Sequence, residues 1–245
     1  MKKEKFPLRG LKDRLRIVLV RTRNPLNIGA AARAMSNFGF SHLRVVKPYE
    51  PAFRGARSAV GATEVLANAE QFGSVADAVA DCALVIGTTA ARRREILHVL
   101  ENLETGAPLI RAGMSSGPVA LLFGSEKTGL SKQDFSHCHW LMHISTASRQ
   151  PSMNLGQAVA VCLYEIARET EVVSAGPPLA AASDLERITS LLYESLAASG
   201  YVRSGAERTT KERLRRMVRI LNITAEDAET WMGMLRQIAW KLTRV

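Results

Sequence analysis

A mostly parallel α/β sheet with helices on both faces, extended by a small helical C-terminal unit, is the fold class this chain predicts. Three observations predict it. Short β-branched runs alternate with helical patterns through the first two thirds of the sequence. Hydrophobic residues make up 47% of the 245 positions, enough to bury a sizeable core. After Glu171 the strand signals stop and only helical patterns remain.

The elements follow in order. Arg16 to Val20 reads as a buried strand, and a polar turn with Asn24-Pro25 comes next. Asn27 to Phe38 suits a helix with small alanine faces, capped by Asn27 and stopped at Gly39. Leu43 to Val46 is a second strand, and Gly61-Ala62-Thr63 marks the end of a short helix. Val75 to Ala80 is a helix and Ala83 to Gly87 a strand that runs into Thr88-Thr89-Ala90. Val119 to Gly124 and Trp140 to Ile144 are further strands, and Leu155 to Arg168 is a long helix with a strong apolar stripe. Strands alternating with helices imply a parallel sheet covered on both faces. Ser174-Ala175-Gly176-Pro177-Pro178 has linker composition. Asp184–Ala198, Thr210–Leu221 and Ala225–Leu242 are then helical, with caps expected at Ser183-Asp184 and at Thr224. The expected division is an α/β domain over residues 1–170, a linker over 171–183 and a helical extension over 184–245.

Composition narrows the function classes. A formal net charge of +10 favours a polyanionic partner about as strongly as it favours a merely solvated basic surface. Three cysteines, an odd number without ligand spacing, fit a reducing compartment. Cys82 and Cys162 sit in apolar runs as small buried hydrophobes, and His137-Cys138-His139 lacks a second ligand pair, so no metal is expected. No apolar run is long enough to span a membrane, and no h-region follows the basic N-terminus, so a cytoplasmic protein is expected.

Three polar, glycine-containing segments carry the chemistry. Asn27-Ile28-Gly29-Ala30-Ala31-Ala32-Arg33 combines small residues, suited to close approach at a helix start, with an arginine six positions after an asparagine. Leu122-Phe123-Gly124-Ser125-Glu126-Lys127-Thr128-Gly129-Leu130 leaves a strand end and turns again, where open α/β sheets bind ligands. It is not a P-loop, because Lys127-Thr128 precedes Gly129 instead of following it. Pro151-Ser152-Met153-Asn154-Leu155 places Ser152 or Asn154 as the cap of the next helix. Each alone has a bland reading: a tightly packed helix, a solvated loop carboxylate, an ordinary cap.

Taken together, Asn-x-Gly-x-x-x-Arg, Phe-Gly-x-Glu-x-x-Gly-Leu and Pro-Ser-x-Asn-Leu resemble the SpoU branch of the SPOUT RNA methyltransferases over about residues 14–170. Gly87-Thr88-Thr89-Ala90 followed by arginines, with the basic helical extension, makes the chain most similar to the TrmJ-type tRNA 2′-O-methyltransferases. The resemblance implies a C-terminal trefoil knot, S-adenosyl-L-methionine as cofactor, a homodimer whose site is completed across the interface, and tRNA as partner. True knots are rare, so this one rests on the resemblance alone. The resemblance also implies 2′-O-methylation at anticodon-loop position 32, with an rRNA ribose or another tRNA position as the alternative target. A non-catalytic RNA-binding protein of the same fold is the alternative from another class. A nicotinamide dehydrogenase is disfavoured because no Gly-x-Gly-x-x-Gly follows the first strand.

Residue roles follow from the same resemblance. Arg33 is the catalytic residue, supported by Ser152, Asn154 and Glu126. Thr88, Thr89, Ala90, Gly124, Ser125, Gly129, Ile144, Ser152 and Met153 hold the cofactor, mostly through backbone groups. Glu126 anchors the loops by accepting from backbone N–H groups. Asn27 and Arg92-Arg93-Arg94 are placed at the RNA. So are Arg215, Arg216 and Arg219, which share one face of a helix whose apolar side is Leu214, Met217, Val218 and Leu221.

Overall fold

The computed structural model describes residues 10–58, 64–90, 96–147, 152–168 and 176–243. Gly61-Ala62-Thr63 and Arg92-Arg93-Arg94 lie outside the described residues. Seven strands form one sheet: β1 Leu15–Val20, β2 His42–Val46, β3 Glu70–Phe72, β4 Leu84–Thr88, β5 Leu100–Asn102, β6 Val119–Phe123 and β7 Trp140–His143. Their order is β3-β2-β1-β6-β4-β7-β5, and every neighbouring pair is parallel. Seven helices interleave with them: α1 Pro25–Phe38, α2 Glu50–Ser58, α3 Glu64–Ala67, α4 Val75–Ala78, α5 Leu103–Ser116, α6 Lys132–Phe135 and α7 Leu155–Arg168.

Both faces of the sheet are covered, which is why β1 and β6 are hydrophobic at almost every position. Leu15, Ile17 and Leu19 of β1 pack with α1, α5 and α7 in one core. Val18 and Val20 point to the other face and pack with Val75, Phe135 and Leu141. Helix α1 lies against α7. A Cβ built on Gly156 would come within 2.6 Å of the Ala30 side chain, so Gly156 is what lets the two helices approach. The sequence pattern assigns that role to Gly29, where a Cβ would meet nothing.

Two caps also differ from expectation. The cap of α1 is Asn24, whose side chain accepts from the Leu26 N–H, with Pro25 in the first turn. Asn27 is therefore inside the helix and buried. Gly39 ends α1 in the left-handed conformation as expected (φ 77°). The first helix of the extension begins slightly earlier than expected, after Ala181, with no side-chain cap from Ser183 or Asp184.

The extension comprises α8 Ala182–Ala198, α9 Glu207–Ile220 and α10 Ala225–Leu242, with Thr224 capping α10 through the Asp227 N–H. It has its own small core of Leu185, Ile188, Val218, Met232 and Leu235. The segment leading into it is not a free tether at its described end. The Ala182 N–H donates to the Cys82 carbonyl at 2.8 Å and the Ser183 N–H to the Ala80 carbonyl at 3.1 Å.

Candidate active site

The central strands stop at one end of the sheet, and their C-terminal ends open into a cleft of about 300 Å³. Strand β4 delivers Thr88, Thr89 and Ala90, strand β6 delivers Gly124 to Gly129, and β7 delivers Ile144. Ser152 and Met153 close the cleft from the start of α7. All nine residues expected to hold a cofactor line this one cleft. Phe123, Leu130, Phe135, Met142 and Leu155 give it an apolar floor. The walls are fixed by hydrogen bonds to the backbone: the Thr88 hydroxyl donates to the Leu122 carbonyl at 2.8 Å, and the Thr89 N–H to the Met142 carbonyl at 2.9 Å.

The loop after β6 is tight. The Gly129 N–H donates to the Ser125 carbonyl at 2.8 Å, and Gly129 adopts φ +66°, which favours glycine. A Cβ on Gly124 would lie 2.0 Å from the Gly129 carbonyl carbon and 2.2 Å from the Leu130 nitrogen, both backbone atoms. No side chain fits there.

A hydrogen-bonded relay joins the three distant segments. Glu126 accepts from the Arg23 N–H at 3.3 Å, the Asn24 N–H at 3.2 Å and the Asn27 side-chain amide at 3.0 Å. Asn27 in turn accepts from the Asn154 side-chain amide at 2.7 Å. The Asn154 side-chain oxygen caps α7, accepting from the N–H groups of Gly156 at 2.9 Å and Gln157 at 3.3 Å. Partial burial alone would raise the Glu126 pKa, but the donated hydrogen bonds, led by Asn27, outweigh it and hold the carboxyl below its ordinary value. Asn27 and Asn154 are thus oriented by what they bond to, and Glu126 sits at the loop crossing between α1 and the Gly124–Gly129 turn.

Beside the first cleft lies a second of about 450 Å³, lined by Arg21, Arg23, Asn24, Asn27 and the loop Ser125–Thr128. Arg21 is held by the carboxylate of Asp134, which also closes the capping box of α6 with Ser131. Lys127 and Thr128 line both clefts, and Thr146 the first; the sequence motifs assign none of them a role. The Asn24 cap is legible in Asn24-Pro25, since proline is favoured in the first helical turn.

Arg33 is exposed on α1 and lines neither cleft. Two of the arginines expected on the RNA face of α9 are buried instead. Arg215 pairs with Glu186 at 2.6 Å and donates to the Ser136 hydroxyl at 3.1 Å. Arg219 is 1% exposed and donates to the Ala182 carbonyl at 3.0 Å. Burial lowers its pKa to about 10. Helix α9 is rotated from its expected orientation. It buries Leu214, Arg215, Val218 and Arg219, while Met217 and Leu221 remain exposed. Arg216 donates to the Leu97 carbonyl at 3.0 Å. The cause is that α9 packs between α8 and the α/β domain, where guanidinium groups satisfy carbonyls and a carboxylate. His137, Cys138 and His139 are all buried, and burial pushes the His139 pKa down to about 3. The His139 Nδ1 accepts from the Val85 N–H.

Residues 14–164, more than half of the chain, match the SpoU rRNA Methylase family. The chain belongs to the SpoU methylase family. It is 32% identical over 232 residues to the tRNA (cytidine/uridine-2′-O-)-methyltransferase TrmJ of Sodalis glossinidius (strain morsitans), covering 91% of each chain. It is 31% identical to the TrmJ of Escherichia coli (strain K12), covering 91% of this chain and 94% of the relative. Among solved structures, TrmJ from Z. mobilis ZM4 superposes with a TM-score of 0.79 at 33% identity, covering 91% of this chain and 98% of that one. A putative methylase family protein from Neisseria gonorrhoeae gives 0.64 at 29% identity, over 80% of this chain and 98% of that one. The parallel seven-stranded sheet with flanking helices is the fold of these SpoU methylases.

Proposed function

We propose that this SpoU methylase transfers a methyl group from S-adenosyl-L-methionine to a ribose 2′-hydroxyl of tRNA, at position 32 of the anticodon loop. The observation that carries this reading is the convergence of Thr88–Ala90, Gly124–Gly129, Ile144 and Ser152–Met153 on one cleft, tied by Glu126, Asn27 and Asn154 to the helix bearing Arg33. The TrmJ names of its relatives point to tRNA as the substrate class.

The cleft fits such a cofactor. Its volume is within the range of small-molecule sites, its floor is apolar, and its rim offers backbone groups and the hydroxyls of Thr88, Ser125 and Ser152. Gly124 leaves backbone against backbone where a side chain would close the loop. When bound there, the sulfonium supplies an electrophilic methyl group. The protein's part is to place the ribose and stabilise charge. Arginine is a poor base, with a pKa above about 12. Arg33 therefore holds a phosphate and stabilises the alkoxide charge that develops as the 2′-hydroxyl releases its proton to solvent water. Asn154 and Ser152 orient the ribose or Arg33, and Glu126 holds the loops in register.

Arg33 lies outside both clefts of the single chain, and Leu26, Val161 and Tyr164 expose apolar surface on α1 and α7. Both facts support a homodimer in which a second copy completes the site. The trefoil knot is supported by membership of the SpoU family, and the strand order, with β7 between β4 and β5, accommodates it. No described helix is long and apolar enough to cross a membrane. A tRNA substrate supports the reading of a cytoplasmic protein. The deciding experiment is methyl incorporation into bulk tRNA by wild type and Arg33→Ala, followed by mapping of the modified nucleotide. Incorporation by wild type alone, at position 32, is the expected result. Equal background from both would overturn the enzyme reading, and a different mapped position would overturn the target.

A further inference from the structure

The second cleft belongs to no role assigned so far, and its charges are arranged for an anion. Arg21, Arg23 and Lys127 line it, against one carboxylate, Glu126. That carboxylate already accepts from three donors, and Arg21 is already paired with Asp134. Arg23 and Lys127 differ. Both are exposed, and neither side chain has a hydrogen-bond or ion-pair partner among the described residues. Their backbones are fixed all the same: the Arg23 N–H is held by Glu126, and Lys127 follows Glu126 in the tight loop. Two unpaired cations on a rigid frame, against one carboxylate whose acceptors are already occupied, leave the cleft net positive and form a site for a polyanion.

Position decides which polyanion. Ser125, Glu126, Lys127 and Thr128 form a wall common to this cleft and the candidate cofactor cleft. A chain whose ribose approaches the first cleft carries its next phosphodiester into the second. We propose that Arg23 and Lys127 bind a phosphodiester of the substrate RNA beside the target ribose, as positioning residues for methyl transfer. This rests on the RNA methyltransferase reading above. The second cleft then acts through binding and register rather than through the chemical step.

The test measures binding of bulk tRNA by wild type, Arg23→Ala, Lys127→Ala and the double variant over a range of salt, with methyl-transfer kinetics alongside. The double variant is expected to raise KM for tRNA about tenfold, as removing charge-assisted hydrogen bonds to phosphate does. The slope of log affinity against log salt should become shallower by about 0.7 for each single-stranded phosphate left unneutralised. In Arg23→Ala, whose side chain lines the second cleft and not the first, the turnover number at saturating tRNA and the affinity for S-adenosyl-L-methionine should hold, and Arg23→Lys should retain most of the tRNA affinity. An unchanged KM and salt slope in the double variant would overturn the inference. So would a loss confined to turnover. A wild type that binds tRNA but methylates none of it would instead defeat the underlying enzyme reading.

Discussion

Replacing Glu126 with glutamine perturbs the relay at its centre without altering its shape. One carboxylate oxygen accepts from Asn24 and Asn27, and the other from Arg23. Glutamine keeps one acceptor and turns the other into a donor. Its better orientation keeps the oxygen on Asn24 and Asn27 and sets its NH2 against the Arg23 N–H. One hydrogen bond disappears and two are left without charge assistance. Bonds to charged groups contribute about 1.5–3 kcal/mol and neutral ones about 0.5–1.5 kcal/mol. The distances are 3.0 to 3.3 Å and the carboxylate is partly solvated, so the low end applies, about 2 kcal/mol in total. In a protein of this size that corresponds to a melting point lower by roughly 4–8 °C. Calorimetric melting at neutral pH, paired with tRNA methylation rates, reads both consequences. The rate should fall too, because the same bonds hold the loop that lines the cleft. The reasoning fails if Glu126→Gln melts with wild type and methylates tRNA at the wild-type rate.

Gly124→Ala should abolish binding of S-adenosyl-L-methionine in calorimetric titration, since its Cβ would stand 2.0 Å from backbone that cannot move without opening the loop. Arg215→Ala should cost about 3 kcal/mol by stranding Glu186 in a largely buried pair, whereas Arg213→Ala, on the exposed face, should leave the denaturation midpoint in place. Burial alone would raise the Asp134 pKa, but Arg21 and the Ser131 donors outweigh it and lower it. Glu126 is likewise lowered. A carboxyl lowered in the fold stabilises it fully above its unfolded value, near 4, and that contribution is lost as pH falls through the folded value. Stability measured from pH 6 downward should therefore decline below about pH 4, and Arg21→Ala should flatten that decline.

Much of the fold was legible because local signals and tertiary packing agree. Helix α7 begins at Leu155 and α10 ends at Leu242 as their patterns predict, each with a polar cap in front. Helix α5 shows the opposite case. Gly106, Pro108 and Gly113 interrupt any helical pattern over Leu103–Ser116, yet the helix forms. Gly106 lies under Trp140 and Met142, and Gly113 against Leu84, where a Cβ would come within 3.2 and 2.7 Å. Close packing on the sheet outweighs the local propensity there. Strands β3 and β5 are three residues long and mostly exposed, so they carry no alternation to read.

The site divides along the same line. From the sequence, the nine cleft residues came through the family resemblance of three short motifs, which local backbone demands alone did not single out, and the fold brings all nine to one cleft. The sequence by itself determined that the protein is basic. Only the tertiary structure decided where that charge is available. Arg215 and Arg219 share a helical face with no local sign of burial, and the docking of α9 against α8 turns that face inward. Arg23 and Lys127, unremarkable in the sequence, are left exposed and unpaired among the described residues, lining the second cleft. Asn27, read as a cap, is instead the middle of a relay, because Asn24 takes the cap and leaves its amide free to bridge Glu126 and Asn154. Periodicity tells which side chains share a face. What that face meets depends on partners far along the chain, and only the folded chain brings those together.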